Sequence, residues 1–379
     1  MELLELDSLE ITAIINDEID LISPSQHPNV HQPGSFAGVP LEFHHTEPKW
    51  TKSRGGASME MRMDSICCGA HGLSLLLKAT RGNTTRTLLF DAGPEGEALE
   101  RNVGRLGLKD NAIGEVEIIV LSHWHRDHSG GLIKAIEMVN AARPKNATGS
   151  SLSGPVVDVP TDRPLYRGIA TPNGPICLEA DPTADELIGA GADVVDDGES
   201  HVVMDGFFAV TGPIPRSTIY ETGIPGGLRF DGPKGQEGGQ WIKDEEIKEE
   251  RVVVCRIKGK GLVIFTGCSH AGIINITDYV LDTFSTEARK SHDFYALVGG
   301  YHLADASEDR LQNTLVDLTK LKPCLLMPGH CTGWRFRALL EQEPLASAED
   351  TDGHRQRRTL KGRTVPVFAG NKYCISGSS

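Results

Sequence analysis

Apolar residues in this chain are gathered into short runs, most of which end in Gly, Asp or His. The run at 9–15 alternates and then turns wholly apolar, which predicts a first strand. Runs at 73–77 and 87–93, joined by the turn Arg81-Gly82-Asn83, predict a hairpin-like pair. The β-branched run at 116–121 predicts a buried strand, and further strands follow at 207–210, 251–255, 261–267, 295–303 and 325–329. Segments 97–103, 132–136, 183–188 and 310–318 predict helices between them.

Three stretches break this rhythm. Residues 23–58 are rich in Pro, His, Gly and Ser and predict a long loop or lid over a site, its His27, His31, His44 and His45 being surface-loop histidines. Residues 146–160 read as a flexible Ser/Gly/Pro insertion, and 223–239 as a Gly-rich, charged and mobile excursion. The chain is expected to form a single domain, 1–379, with insertions near 23–58, 141–165 and 222–245.

Composition narrows the function classes. At 379 residues, with 39% hydrophobic and 24% charged residues, the chain suits a large globular core. A net charge of −14 argues against a nucleic-acid or anionic-membrane partner, since both need a basic face. A small-molecule substrate is the expected partner, and a homo-oligomer stays open. No apolar run approaches the ~20 residues of a membrane span. The acidic start Met1-Glu2-Leu3-Leu4-Glu5-Leu6-Asp7 lacks a signal peptide's basic and apolar regions, and the eight Cys show no framework spacing, so a cytoplasmic protein with reduced thiols is expected.

The densest chemistry is Ser122-His123-Trp124-His125-Arg126-Asp127-His128-Ser129-Gly130-Gly131, directly after the 116–121 strand. Three imidazoles and a carboxylate within six residues can face one pocket and suit a borderline metal such as zinc. Other strands also end at metal-type residues: 261–267 delivers Cys268-Ser269-His270, 295–301 delivers His302, and 325–329 delivers His330. Strand ends on one sheet edge converge, which is how open α/β sheets build sites.

The motif His-x-His-x-Asp-His after a hydrophobic strand resembles the signature of the metallo-β-lactamase superfamily. The resemblance implies an α/β fold, a four-layer αβ/βα sandwich with the metal site along one edge of two sheets. It implies that His123 and His125 serve one metal, and Asp127 and His128 a second. His330, in Pro-Gly-His-Cys-Thr-Gly, completes the second site. Asp91, in Asp-Ala-Gly, orients the metal loop. His71 is a candidate to face the pocket.

One departure stands out. Where the family usually carries Gly-His-Thr, this chain reads Thr211-Gly212-Pro213-Ile214-Pro215-Arg216. Zinc at a catalytic site usually takes three protein ligands, and Cys268 and His270 are the candidates for the vacancy. His270 is expected to supply the third ligand of the first site. His302 is expected within reach of substrate rather than on the metal, with a ligand role for Cys268 or His302 left open.

His-Gly-Leu-Ser, Gly-Cys-Ser-His-Ala-Gly-Ile-Ile-Asn, Gly-Gly-Tyr-His-Leu and Pro-Gly-His-Cys-Thr-Gly together resemble one subgroup, the dihydropterin–ribofuranosylaminobenzene phosphate synthase-like proteins. The activity implied is a hydrolase with one or two Zn2+, or Mn2+ or Fe2+ in their place. Its zinc-bound hydroxide would open a lactam or lactone or cleave a phosphoester. Asp127 is then the catalytic residue that ligates and orients the nucleophile, and His302 the one that stabilises the developing oxyanion. Two alternatives remain: a synthase on a phosphorylated pterin or ribosyl substrate, gripped by Arg216, Lys234 or Lys243, and a non-catalytic metal-binding or redox module.

Overall fold

The computed structural model describes residues 2–23, 25, 27–33, 41–109, 112–143, 154–232, 238–285, 293–342 and 360–378. Two seven-stranded mixed sheets form its centre. The first runs Asp193–Asp196, Val156–Val159, Val116–Val120, Thr84–Phe90, Ser74–Arg81, Ser8–Ile15 and Lys372–Ser376. The second runs His201–Val203, Phe208–Val210, Val253–Ile257, Gly261–Thr266, Phe294–Gly300 and Leu325–Gly329, with Glu5–Leu6 pairing beside Val253–Ile257.

The strands are apolar on both faces because both faces are covered. In Ser74–Arg81, Leu75 and Leu77 enter the core between the sheets, while Leu76 points to the helices outside. In Gly261–Thr266, Val263 and Phe265 face inward, and Leu262 and Ile264 pack outward. Helices Gly96–Arg105 and Leu132–Ala142 cover the first sheet through Leu99, Val103, Ile136 and Val139. Helices Ile273–Phe284, Glu308–Leu321 and Trp334–Leu340 cover the second through Ile276, Val280, Leu311 and Phe336. The result is the expected four-layer sandwich.

Two of the three expected insertions have a different character. Within 141–165, Val156–Val159 is a buried strand of the first sheet, parallel to Val116–Val120; residues 144–153 lie outside the described residues. Its short Val-Val-Asp-Val run was masked by the Ser/Gly/Pro-rich sequence before it. Within 222–245, Gly227–Asp231 and Gln240–Lys243 pair with each other and join Tyr166–Thr171 and Gly174–Cys177 in a four-stranded antiparallel sheet. Among the described residues of 23–58, the segment carries a helix, Pro48–Ser53, and the strand Glu42–Phe43. None of these described residues lines the cavity described next, and residues 24, 26 and 34–40 of the expected lid lie outside the described residues.

Candidate metal centre

Six strands of the two sheets release the chain at one shared edge. Ser8–Ile15 leads to Asp17, Thr84–Phe90 to Asp91, Val116–Val120 to the His-rich loop, Gly261–Thr266 to Cys268 and His270, Phe294–Gly300 to His302, and Leu325–Gly329 to His330. Asp91, Ser269, His302 and His330 all hold positive φ (57°, 67°, 48° and 44°). For non-glycine residues that conformation costs ~1–3 kcal/mol each, and such outliers cluster at functional sites. Gly267 is required by close approach: a side-chain carbon there would run into Ser122 Oγ.

The metal-type side chains collect into two adjoining clusters. In the first, His123 Nε2 lies 3.0 Å from His125 Nδ1, and His270 Nε2 lies 3.0 and 3.1 Å from those two atoms. In the second, Cys268 Sγ stands 3.1 Å from His128 Nε2 and 3.2 Å from His330 Nε2, and Asp127 Oδ2 is 3.2 Å from His330 Nε2. All four members of this set lie within 4.8 Å of one another. His302 belongs to neither; it groups with Cys268 and Cys331, its ring centroid 4.4 Å from that of His270.

The tautomers follow from the partners behind each ring. Ser122 donates its hydroxyl proton to Asp91 Oδ2 at 2.8 Å, so His123 Nδ1, 2.9 Å from Ser122 Oγ, must donate its N–H to that hydroxyl oxygen. Its Nε2 lone pair then faces the cluster. His128 Nδ1 likewise donates to Asp91 Oδ2 at 2.7 Å, and His330 Nδ1 to Asp17 Oδ1 at 2.8 Å. Both rings therefore turn Nε2 toward Cys268 and Asp127. This carboxylate–imidazole arrangement is the one that fixes metal-binding histidines.

This donor set fits a metal. Three nitrogens at mutual distances of 3.0–3.1 Å approach the ~3.3 Å that tetrahedral ligands at usual zinc distances keep from one another. Burial, reinforced by neighbouring imidazoles or by Arg167, holds His123, His125 and His270 well below the ordinary histidine range, which leaves them neutral, the form in which an imidazole can bind a metal. Burial resists ionisation of Asp127, yet His128 and His330 keep its carboxyl well below the usual range. Burial pushes the Cys268 thiol up.

The Thr211–Arg216 turn enters neither cluster. It buttresses the first instead: Arg216 Nη1 donates to the His270 carbonyl at 2.9 Å, and Thr211 Oγ1 accepts from Val252 N. Glu250 takes the backbone amides of His270 at 2.8 Å and Ala271 at 2.7 Å, fixing the turn that aims the imidazole.

Both clusters open into a cavity of about 520 Å3. His71 and His302 line it beside the clusters, and the four-stranded sheet supplies the far wall through Ile169 and Leu228. His302 Nδ1 is buried without a hydrogen-bond partner. Arg216 and Lys243 do not line this cavity. Arg216 borders a separate hollow, Lys243 is exposed and paired with Glu245 at 2.5 Å, and Lys234 lies outside the described residues.

Several residues here were not reached from the sequence. Asp17 holds His330 and also accepts from His71 at 2.9 Å. The signal was available, because Asn16-Asp17 ends an apolar strand just as Asp91 does. Arg167, nearly fully buried, donates to Trp124 O at 2.5 Å and to Asp244 Oδ2 at 2.5 Å, and it also binds Glu249. It thereby ties the metal loop to the four-stranded sheet. Nothing in the local sequence marks it.

The profile of the metallo-β-lactamase superfamily matches residues 71–207. The chain is 26% identical to the 7,8-dihydropterin-6-methyl-4-(β-D-ribofuranosyl)-aminobenzene-5'-phosphate synthase of Methanocaldococcus jannaschii, over 72% of this chain and 84% of that protein. It is 29% identical to the uncharacterized protein MJ0448 of the same organism, over 72% of this chain and 88% of that one. The crystal structure of Tm1679, a metal-dependent hydrolase of the β-lactamase superfamily, superposes with a TM-score of 0.58 at 20% identity, covering 97% of this chain and 99% of the other. No helix among the described residues is long and apolar enough to cross a membrane.

Proposed function

We propose that this chain, which carries the metallo-β-lactamase fold, is a metal-dependent hydrolase of a small molecule with an electrophilic carbonyl or phosphorus. The observation that carries this reading is the adjacency of the two buried clusters at the floor of one cavity, Asp127 being part of the second, with His302 beside them. Metal ions held by His123, His125 and His270, and by Asp127, His128, Cys268 and His330, would supply Lewis acidity and a water of lowered pKa. Zinc suits the imidazole-rich first cluster, and the thiol of the second cluster favours zinc over harder ions.

Each residue then has a task. Asp127, ionised at neutral pH by its imidazole neighbours, accepts a hydrogen bond from the attacking water and sets its direction. His302, which lines the cavity and has a buried ring nitrogen without a hydrogen-bond partner, donates to the oxygen on which negative charge develops. Asp91 and Asp17 keep the imidazoles from rotating or changing tautomer. The apolar wall of Ile169 and Leu228 holds the substrate body and limits water.

A panel of lactams, lactones and phosphoesters offered to the zinc-loaded protein tests this. Turnover of a panel member that a chelator abolishes, zinc restores and His270→Ala removes is the expected result. No turnover across the panel by fully metallated protein would overturn it. The synthase activity of the M. jannaschii relative supports a second reading, a synthase acting on a phosphorylated pterin or ribosyl compound. Formation of that relative's product by the same preparation would favour it.

A further inference from the structure

Cys268 brings the only sulfur to the second cluster, and beside it stands another sulfur that the cluster does not use. Cys331 follows His330 in the turn His330–Thr332. Its Sγ forms a group with Cys268 Sγ and a ring nitrogen of His302, all within 4.8 Å of one another. It also lies 3.4 Å from the Cys268 carbonyl oxygen, and so rests against the backbone of Cys268 as well as its side chain. Both residues line the cavity, Cys268 buried and Cys331 half-buried.

The chain makes room for this approach. Cys268 and Cys331 leave the strands Gly261–Thr266 and Leu325–Gly329, between which Phe294–Gly300 runs. A side-chain carbon at Gly300 would stand 2.7 Å from Cys331 Sγ and 2.6 Å from the Gly267 carbonyl oxygen. A glycine there lets the sulfur reach across the middle strand. The Cys331 backbone is held in place: its carbonyl accepts the amides of Leu303 at 3.1 Å and Ala304 at 3.2 Å, and Thr332 Oγ1 donates to Gly329 O at 2.7 Å. Joining the sulfurs at the ~2.05 Å of a disulfide therefore falls to the side chains, and asks them to close less than about 3 Å. Rotation about the two Cα–Cβ bonds supplies a movement of that size.

We propose that Cys268 and Cys331 are a modification site, forming a reversible disulfide under a peroxide, and that the disulfide unloads the second cluster. A peroxide entering the cavity oxidises Cys331, the less buried sulfur: an S–O bond forms, the O–O bond breaks, and one water leaves with the thiol proton. The Cys268 sulfur then attacks that of Cys331, so the S–S bond forms and the S–O bond breaks to release the second water. The two sulfurs lose two electrons and the peroxide takes both. A disulfide sulfur is no longer the thiolate that binds a metal, which leaves Asp127, His128 and His330 to the second cluster. The first cluster contains no sulfur and keeps all three ligands. Exchange with an added thiol reverses the modification. The inference rests on the second cluster being a metal site, and on no reaction performed there.

Hydrogen peroxide added to the zinc-loaded full-length protein tests this without any substrate. Peptide mapping without reductant should find the Cys268 and Cys331 peptides joined, and elemental analysis should find one of two zinc ions lost. Dithiothreitol followed by zinc should restore both thiols and the second ion. Cys331→Ser should keep its second zinc through the same exposure. Absence of the joined peptides, zinc retained despite them, or equal zinc loss in Cys331→Ser overturns the proposal. A third zinc in the reduced protein that Cys331→Ser abolishes also overturns it, by making the cysteines and His302 a metal site of their own. A reduced protein that holds no zinc at the second cluster sinks the metal reading and this inference with it, whereas two zinc ions and no joined peptides sink the inference alone.

Discussion

Asp17 Oδ1 stands 2.8 Å from Nδ1 of His330, across 313 positions of sequence. Burial works against its ionisation, but the hydrogen bonds from His330 and His71 hold its carboxyl well below the usual range. The pair therefore fixes the second cluster's last imidazole from behind. Outer partners of this kind typically contribute ~10–100-fold to metal affinity. Asp17→Ala should lower zinc affinity at the second cluster by about that factor while the first cluster stays filled, and Asp17→Asn, which accepts but carries no charge, should fall between. Competition with a chromophoric chelator measures it; unchanged affinity in both variants would refute the assignment.

The two clusters should empty separately. His270→Ala removes one of three ligands from the first, and His330→Ala one of four from the second. Elemental analysis after gel filtration should find each variant retaining the metal of the other cluster. Full metal content in His330→Ala would show that this histidine is not a ligand.

Arg167 predicts a stability effect distinct from metal loss. Its side chain is 3% exposed and is shared between Asp244 and Glu249. Truncating one partner of a buried ion pair typically costs ~3–5 kcal/mol because the other charge is left without compensation. Arg167→Met should lower the denaturant midpoint accordingly in the metal-free protein, and a second change, Glu249→Gln, should recover part of the loss. A loss below ~1 kcal/mol would mean the network relaxes or hydrates.

Glu221 gives a pH dependence. Its carboxylate accepts the amides of Ile274 and Asn275, both at 2.9 Å, in the first turn of Ile273–Phe284. Burial nonetheless outweighs those bonds and raises its pKa from 4.5 to about 7. Between those values the folded chain keeps a proton that the unfolded chain has lost, so stability falls as pH rises through the window. Wild type should therefore lose stability relative to Glu221→Gln on going from about pH 5 to about pH 8. A difference between the two proteins that does not change with pH would contradict the shift.

Much of this was legible in the chain itself, for a physical reason. Strands covered on both faces must be continuously apolar, so the runs at 73–77, 87–93, 116–121, 261–267 and 295–303 announce strands, and the residues at their ends lie at the sheet edge. His123, His125, His270 and His330 could be placed by that rule. Val156–Val159 and Lys372–Ser376 could not, because short strands take their identity from neighbours that are remote in sequence. The hairpin Gly227–Asp231/Gln240–Lys243 was hidden by its glycines and charges, yet it supplies the wall opposite the clusters. Arg167 escaped for the same reason: a buried cation is defined by its partners, and Glu249 stands 82 positions away.

Asp91 touches both clusters. One of its oxygens takes the Ser122 hydroxyl that holds His123, and the same oxygen takes Nδ1 of His128. A cation bound at either cluster draws electron density through its imidazole and tightens that hydrogen bond, which changes how much of the carboxylate remains for the other. With a metal at each cluster, the two sites would be coupled through this carboxylate, and the coupling would be equal in both directions. Zinc titration of the apo-protein should deviate from two independent binding events, and Asp91→Asn should bring it toward independence while weakening both. Filling one cluster would then be felt at the other through a single oxygen, Asp91 Oδ2.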